Sequence, residues 1–388
     1  MSAGLTPFRI DVADSVLADL KARLTNARWP DELDGVGWDY GATLAAVKHL
    51  CTYWLNEFDW RSAEARLNEW PQFTTTIDGQ NIHYAHVRSP HDGAFPLVVT
   101  HGWPGSIMEF QKIVGPLTNP TEHGGTASDA FHLVIPSIPG YGFSGPTVER
   151  GWNVVRVGQA WATLMARLGY ERYGAQGGDW GAIITPNVAA ADPDHVVGIH
   201  LNMVSARPLN PSDLMEGVRP EEADGVRYLG EFQEHETGYQ AIQRTRPQTL
   251  AYGLTDSPVG LAGWILEKFR QWSDHDRSNP MGVFDAFTLD ELCTNLTIYW
   301  VTGTINSSCR LYYESAGPGR RPPFPKVSAP TGCALFPFEL YRPPRAWADK
   351  TYPNITQWTT MERGGHFAAL EAPDLLVDDV REFFRSIR

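Results

Sequence analysis

The chain has 388 residues, 42% of them hydrophobic, which is enough to bury a large core as two structural units or one elaborated domain. A formal charge of −13 with no basic run excludes a nucleic-acid partner or an anionic membrane surface. Cys51, Cys293, Cys309 and Cys333 are scattered without a CxxC pair or a histidine cluster, so neither a zinc site nor a disulfide framework is expected. The start, "MSAGLTPFRI", has no charged stretch followed by an apolar one, and no run approaches the ~20 apolar residues that span a bilayer. The default expectation is a cytoplasmic protein without a membrane anchor.

Helical periodicity opens the chain. Val12, Val16, Leu20 and Leu24 recur every four residues before Pro30, and Leu44, Val47, Leu50, Cys51, Trp54, Leu55 and Phe58 form a second stripe. From Phe73 short β-prone runs take over: "FTTTIDG", "NIHYAHV", "PLVVTHG", "FHLVIPSIPG", "RYGAQGG" and "VVGIHLNMV", with a helical run at Val155–Leu168 before the fifth. Hairpin-like strands followed by strand–helix alternation predict an α/β fold with a mostly parallel sheet and its sites at the strands' carboxyl ends. The rhythm breaks at about Ser205 in a long segment rich in Trp, Tyr and Gly, whose Leu289, Leu292, Leu296 and Trp300 suit a helical lid. Strand patterns return in "VSAPTGCALFP" and "ITQWTTMERGG", and Leu375–Ile387 reads as a closing helix. The expected division is 1–72 as a helical extension, 73–205 and 327–388 as two parts of an α/β core, and 206–326 as a mainly helical lid.

The chemistry concentrates in four loops. "GAQGGDWGAII" has the form of a nucleophile elbow, in which glycines admit a sharp strand-to-helix turn and one side chain is thrust out at the helix start. That side chain is Asp179; the plainer reading is a loop with a helix-capping aspartate. "HGWPGS", after the strand "PLVVT", resembles the loop that lends a backbone N–H to an oxyanion hole, here from Trp103, with the N–H of Trp180 as the second donor. His101 reads as structural. "MERGGHFAALEAP" puts His366 in a glycine-bounded loop after the last strand, where a base belongs, and "LFPFELY" offers Glu339 as the acid that orients it, with Asp349 and Glu362 as weaker rivals. The order Asp179, Glu339, His366 is that of nucleophile, acid and histidine in α/β-hydrolases.

A carboxylate at the elbow suits displacement at an sp3 carbon, giving an alkyl ester of the enzyme that water activated by a histidine then hydrolyses. Epoxides and alkyl halides are the main electrophiles of that kind. A ring-opening alkoxide needs a strong donor such as neutral tyrosine, whereas a halide needs only weak ones such as indole N–H. The lid segment holds Tyr239 in "HETGYQAIQ" and Tyr312 and Tyr313 in "NSSCRLYYES"; from the residues alone the choice stays open.

"RWP", "HGWPGS", "IPGYGFS", "GGDWG", "ETGYQAIQ", "DSPVGLAGWILEKF", "YWVTGTINSS", "FPFEL" and "RGGHFAALE" occur in this order, and over nearly its whole length the chain resembles the microsomal-type epoxide hydrolases. The resemblance implies an α/β-hydrolase fold with a wrapping N-terminal extension and no cofactor. It also implies Asp179 as nucleophile, His366 as base, Glu339 as its acid partner, and Tyr239 and Tyr312 as donors to the epoxide oxygen, with Tyr313 as the alternative to Tyr312. The membrane anchor of the mammalian members is not expected here, and the resemblance implies a soluble member of the family. By analogy with relatives that carry the extension, a homodimer is possible. The chain is also similar to the epoxide hydrolases of enediyne antibiotic pathways in actinomycetes, which implies a bulky aryl- or vinyl-substituted epoxide as natural substrate. A haloalkane-type dehalogenase with the same aspartate nucleophile is the alternative enzyme. A non-catalytic binding protein that kept the fold and a serine esterase are further, weaker readings, since Ser106 and Ser144 lie outside the elbow.

Overall fold

A computed structural model describes residues 4–388. Nine strands form one sheet: β1 (Thr6–Phe8), β2 (Gln72–Ile77), β3 (Gln80–Val87), β4 (Phe95–Thr100), β5 (Phe131–Pro136), β6 (Tyr173–Gly177), β7 (Val196–Leu201), β8 (Thr331–Leu335) and β9 (Ile355–Thr360). Their spatial order is β1-β2-β3-β5-β4-β6-β7-β8-β9. The β1–β2, β2–β3 and β3–β5 pairings are antiparallel, and every pairing from β5 to β9 is parallel. Helices cover both faces of the parallel part, so β4, β5 and β6 are buried along nearly their whole length, consistent with the largely apolar runs of β4 and β5 and the small residues of β6. Strand β1 is an element that the helical periodicity of the first seventy residues does not reveal. At three residues, two of them exposed, it is too short to show alternation, and pairing with β2 defines it.

The helices of the first seventy residues lock onto the segment that follows β7. Trp54 Nε1 donates to Thr297 Oγ1 at 2.9 Å, the Tyr53 hydroxyl to Asp290 at 2.9 Å, and Trp38 Nε1 to the Pro280 carbonyl at 2.9 Å. Between β7 and β8 the chain is built from helices, the longest being Ala223–His235, Pro258–Gln271, Leu289–Thr302 and Ile305–Ala316. They lie over the carboxyl ends of the parallel strands. Helix Leu289–Thr302 braces the loop after β4: Asn295 Nδ2 donates to the Pro104 carbonyl at 2.8 Å, Asn295 Oδ1 accepts from Ser106 Oγ at 2.9 Å, and the Tyr299 hydroxyl donates to the Gly105 carbonyl at 2.8 Å. No helix among the described residues is long and apolar enough to cross a membrane, and all four cysteines are buried and free.

Candidate active site

Asp179 stands between β6 and helix Trp180–Ala191 with φ +49° and ψ −124°, a conformation that L-residues rarely hold and that marks a strained turn. The flanking glycines explain how the turn closes. A Cβ on Gly181 would lie 1.9 Å from the Thr100 carbonyl oxygen, and one on Gly177 would lie 2.3 Å from the Gly181 carbonyl carbon. Backbone therefore packs on backbone, and only Asp179 is free to project. Its side chain makes no capping bond to the helix, so the helix-cap reading of this aspartate is set aside.

The carboxylate instead faces two partners. Oδ1 accepts the Trp103 backbone N–H at 2.8 Å, and Oδ2 lies 3.3 Å from His366 Nε2. Trp180 heads its helix, so its N–H has no intrahelical acceptor. On the far side of the imidazole, Nδ1 lies 2.7 Å from Glu339 Oε1, which also accepts the Leu340 N–H at 2.6 Å. Both Glu339 and His366 are buried. Burial opposes the imidazolium, but the charges of Glu339 and Asp179 outweigh it and hold His366 well above its ordinary pKa. The rival acids lie elsewhere: Asp349 pairs with Arg345 at 2.7 Å, and Glu362 with Arg363 at 3.1 Å.

The His366 loop is tied to the helical segment above it. Its backbone N–H donates to the Trp272 carbonyl at 2.9 Å, and the imidazole packs edge-on against the Trp272 indole at 5.0 Å. Glu371 accepts the N–H groups of Phe367 and Asp274 at 2.8 and 2.7 Å, and Asp274 accepts the Gly364 N–H at 2.8 Å. Glu371 closes the "RGGHFAALE" motif five positions after His366, whereas Asp274 has no such signal in the sequence and only the folded chain brings it to this loop.

Tyr239 and Tyr312 come from two helices of the same segment, Gly238–Gln243 and Ile305–Ala316, and their rings meet at 5.9 Å. Trp103 stacks on Tyr239 at 5.3 Å, and Trp180 meets Tyr312 edge-on at 4.7 Å, so each tyrosine packs on a tryptophan next to Asp179, one hydrogen-bonded to it through its backbone and the other following it in the chain. Burial and the Asp179 charge push Tyr239 above its ordinary pKa; burial, Tyr239 and Asp179 do the same to Tyr312. Both hydroxyls stay protonated at neutral pH. Gln240 Nε2 donates to the Tyr239 hydroxyl at 2.9 Å, a contact between sequence neighbours that no spacing rule predicts. Tyr313 lies on a separate groove and its hydroxyl accepts from Arg320 at 3.3 Å, away from Asp179.

Two cavities meet at Asp179. On one side is a pocket of about 430 Å³ lined by Trp180, Ile183, Phe232, Tyr239, Tyr312 and Leu340. On the other is a small cavity of about 20 Å³ bordered by His366, Glu109, Trp103 and Asn202. The tyrosines border only the first and the histidine only the second. His101, expected to be structural, donates through Nδ1 to the Gly102 carbonyl oxygen at 3.0 Å and accepts the Ile138 N–H at Nε2 at 3.2 Å; burial lowers its pKa to about 4. Among the described residues no cluster of histidine, cysteine and acidic side chains could hold a metal.

A strained acid at the strand-to-helix elbow, a buried acid–histidine pair and a parallel sheet under a helical cover define an α/β-hydrolase. Residues 5–110 match the family described as epoxide hydrolase N terminus, and residues 96–304 the alpha/beta hydrolase fold family. The chain is 46% identical to a Stigmatella aurantiaca protein provisionally named an epoxide hydrolase, over 99% of this chain and 86% of that one. It is 39% identical to epoxide hydrolase 1 of Sus scrofa, over 98% and 88%. The crystal structure of juvenile hormone epoxide hydrolase from Bombyx mori superposes with a TM-score of 0.91 at 33% identity, covering 99% of this chain and 95% of that one. The chain belongs to the epoxide hydrolase family of the α/β-hydrolase fold and is an epoxide hydrolase.

Proposed function

We propose that Asp179 opens the epoxide by attack of its carboxylate on a ring carbon, while Tyr239 and Tyr312 hydrogen-bond the ring oxygen and one of them gives it a proton. The C–O bond of the ring breaks, an ester bond to Asp179 forms, and the tyrosine is left briefly as its anion. Attack consumes the negative charge of Asp179, which together with burial raises both tyrosines' pKa, so the tyrosinate forms as its electrostatic opponent disappears.

Esterification also removes one of the two carboxylates that hold His366 protonated. The imidazolium proton passes to the tyrosinate, which restores the tyrosine and leaves His366 neutral. His366, oriented by Glu339, then takes a proton from water as the water oxygen attacks the Asp179 carboxyl carbon. The N–H groups of Trp103 and Trp180 hold the resulting oxyanion. Collapse breaks the ester bond, the carboxyl proton goes to the departing alkoxide, and the products are the vicinal diol, Asp179 carboxylate and the imidazolium. The position of Asp179 between the two cavities supports this reading, because ring opening and hydrolysis then proceed on opposite sides of one carboxyl group. The dehalogenase alternative is not favoured: it has no use for two tyrosines kept protonated beside the nucleophile.

The natural substrate is a bulky aryl- or vinyl-substituted epoxide of secondary metabolism, of the enediyne type. The size of the pocket and its Trp180, Phe232 and Phe324 walls support an apolar, unsaturated substituent. A single turnover of styrene oxide with excess enzyme in H₂¹⁸O tests the mechanism. Label in the Asp179 peptide and none in the first-formed diol is expected; label in the diol and none in the peptide means direct attack by water. A kcat/KM no higher for styrene oxide than for an aliphatic terminal epoxide of equal size would remove the substrate assignment.

A further inference from the structure

Glu109 follows the "HGWPGS" loop in the short turn Ile107–Phe110 and has no part in the chemistry above. It borders the small cavity shared with His366 and Asp179. Its side chain is largely buried and lines this cavity. A free carboxylate in such a place is costly unless something there uses it.

The loop is shaped around this side chain. A Cβ on Gly105 would lie 1.2 Å from Glu109 Oε1, so the glycine leaves the space into which the carboxyl folds back toward the cavity. At about 20 Å³ the cavity has room for one water molecule, and a buried water needs two to four polar partners. The side chains of Glu109, His366, Asp179 and Asn202 supply them. Asn202 is tethered by its Oδ1, which accepts from Gln176 Nε2 at 2.8 Å. A water molecule here lies on the histidine side of the nucleophile, opposite the substrate pocket.

We propose that Glu109 is a further catalytic residue of the hydrolytic step: its carboxyl accepts a hydrogen bond from the attacking water, whose other hydrogen goes to His366 Nε2, and so aims the water oxygen at the Asp179 carboxyl carbon. This rests on the alkyl-ester reading of Asp179. The titratable groups that face Glu109 are His366 and Asp179 from the loops after β9 and β6, Tyr299 from helix Leu289–Thr302, and His101 from its own loop. Burial raises the Glu109 pKa to about 8; the His366 charge and the Ser106 backbone N–H oppose the rise and the Asp179 charge adds to it. Through neutral pH the group is a neutral carboxyl whose carbonyl oxygen accepts. Ionisation above about pH 8 would put a second negative charge beside the oxyanion and slow its formation.

Rapid mixing with styrene oxide, with ester formation and ester decay followed separately, tests this in the whole enzyme. Glu109→Ala is expected to slow ester decay on the order of 10²-fold while ester formation changes by less than about threefold. The unaltered enzyme is expected to lose rate near pH 8, and Glu109→Gln, isosteric with the protonated carboxyl, is expected to restore decay to within about threefold and to abolish that alkaline loss. Equal slowing of both steps by Glu109→Ala, unchanged decay, or an alkaline limb that persists in Glu109→Gln would each overturn the proposal. Should the alanine variant not fold, the pH profile of the glutamine variant decides alone. If the unaltered enzyme forms no ester, it is the Asp179 reading that fails.

Discussion

The sheet and the helical segment above it hold their functional side chains by opposite electrostatics. At the carboxyl ends of the strands, Asp179, His366 and Glu339 form a line of charges in which each stabilises the next, through contacts of 3.3 and 2.7 Å, and the two carboxylates hold the imidazole well above its ordinary pKa. In the helical segment, burial and the neighbouring negative charge keep Tyr239 and Tyr312 neutral. One region stores a charge that the reaction consumes, and the other stores protons that the reaction borrows. A single event, esterification of Asp179, relaxes both, because the same carboxylate sets the pKa values on each side.

The two regions therefore govern different steps. The largest effect is expected from the sheet side. His366→Gln should lower turnover on the order of 10³-fold or more while the enzyme still alkylates, so intact-protein mass spectrometry should show Asp179 carrying one substrate mass after a single addition. Full turnover by this variant would remove His366 from its role as base. On the helical side, Tyr239→Phe or Tyr312→Phe should slow ester formation on the order of 10²–10⁴-fold without ester accumulating, since the block precedes it. The double variant should be far worse than either, because the remaining tyrosine partly substitutes. A tyrosine variant that accumulates ester would dissolve the division of labour.

A smaller and more diagnostic effect separates the steps by pH. Ester decay needs neutral His366, so its rate should fall about tenfold per pH unit below the imidazole pKa of the alkyl-enzyme. That pKa must lie below the resting one, because the Asp179 charge that helps to raise His366 is then gone. Ester formation needs only ionised Asp179 and should show no such limb. Stopped-flow traces across mildly acidic to neutral pH check the difference, and an identical limb in both steps would mean that the histidine serves both.

The elements around the sheet were legible because their patterns are local. The apolar runs of β4 and β5, the four-residue stripe of Leu20 and Leu24, and the glycines around Asp179 all report on backbone that packs against whatever covers it. Strand β1 was not legible, since three residues carry no period. Glu109 was not either. Nothing marks an acid eight positions after His101 until the fold sets Gly105 against its carboxyl.

What the sequence determined alone was the kind of chemistry: an acid at a glycine-bounded elbow, a histidine in a late glycine loop, and an acid before it, each defined by its immediate neighbours. Which of two adjacent tyrosines turns inward, which of three acids meets the imidazole, and which carboxyl borders the water-sized cavity were decided only by tertiary structure. Tyr312 and Tyr313 are equivalent in local pattern and differ by the face of one helix that meets Trp180. Glu339, Asp349 and Glu362 differ by whether the loop at a strand's end delivers them to a buried nitrogen or to a surface arginine. The inward choices, Glu339 on His366 and Tyr312 on Trp180, depend on contacts between residues 27 and more positions apart, and the free energy of such contacts exists only once the chain has folded.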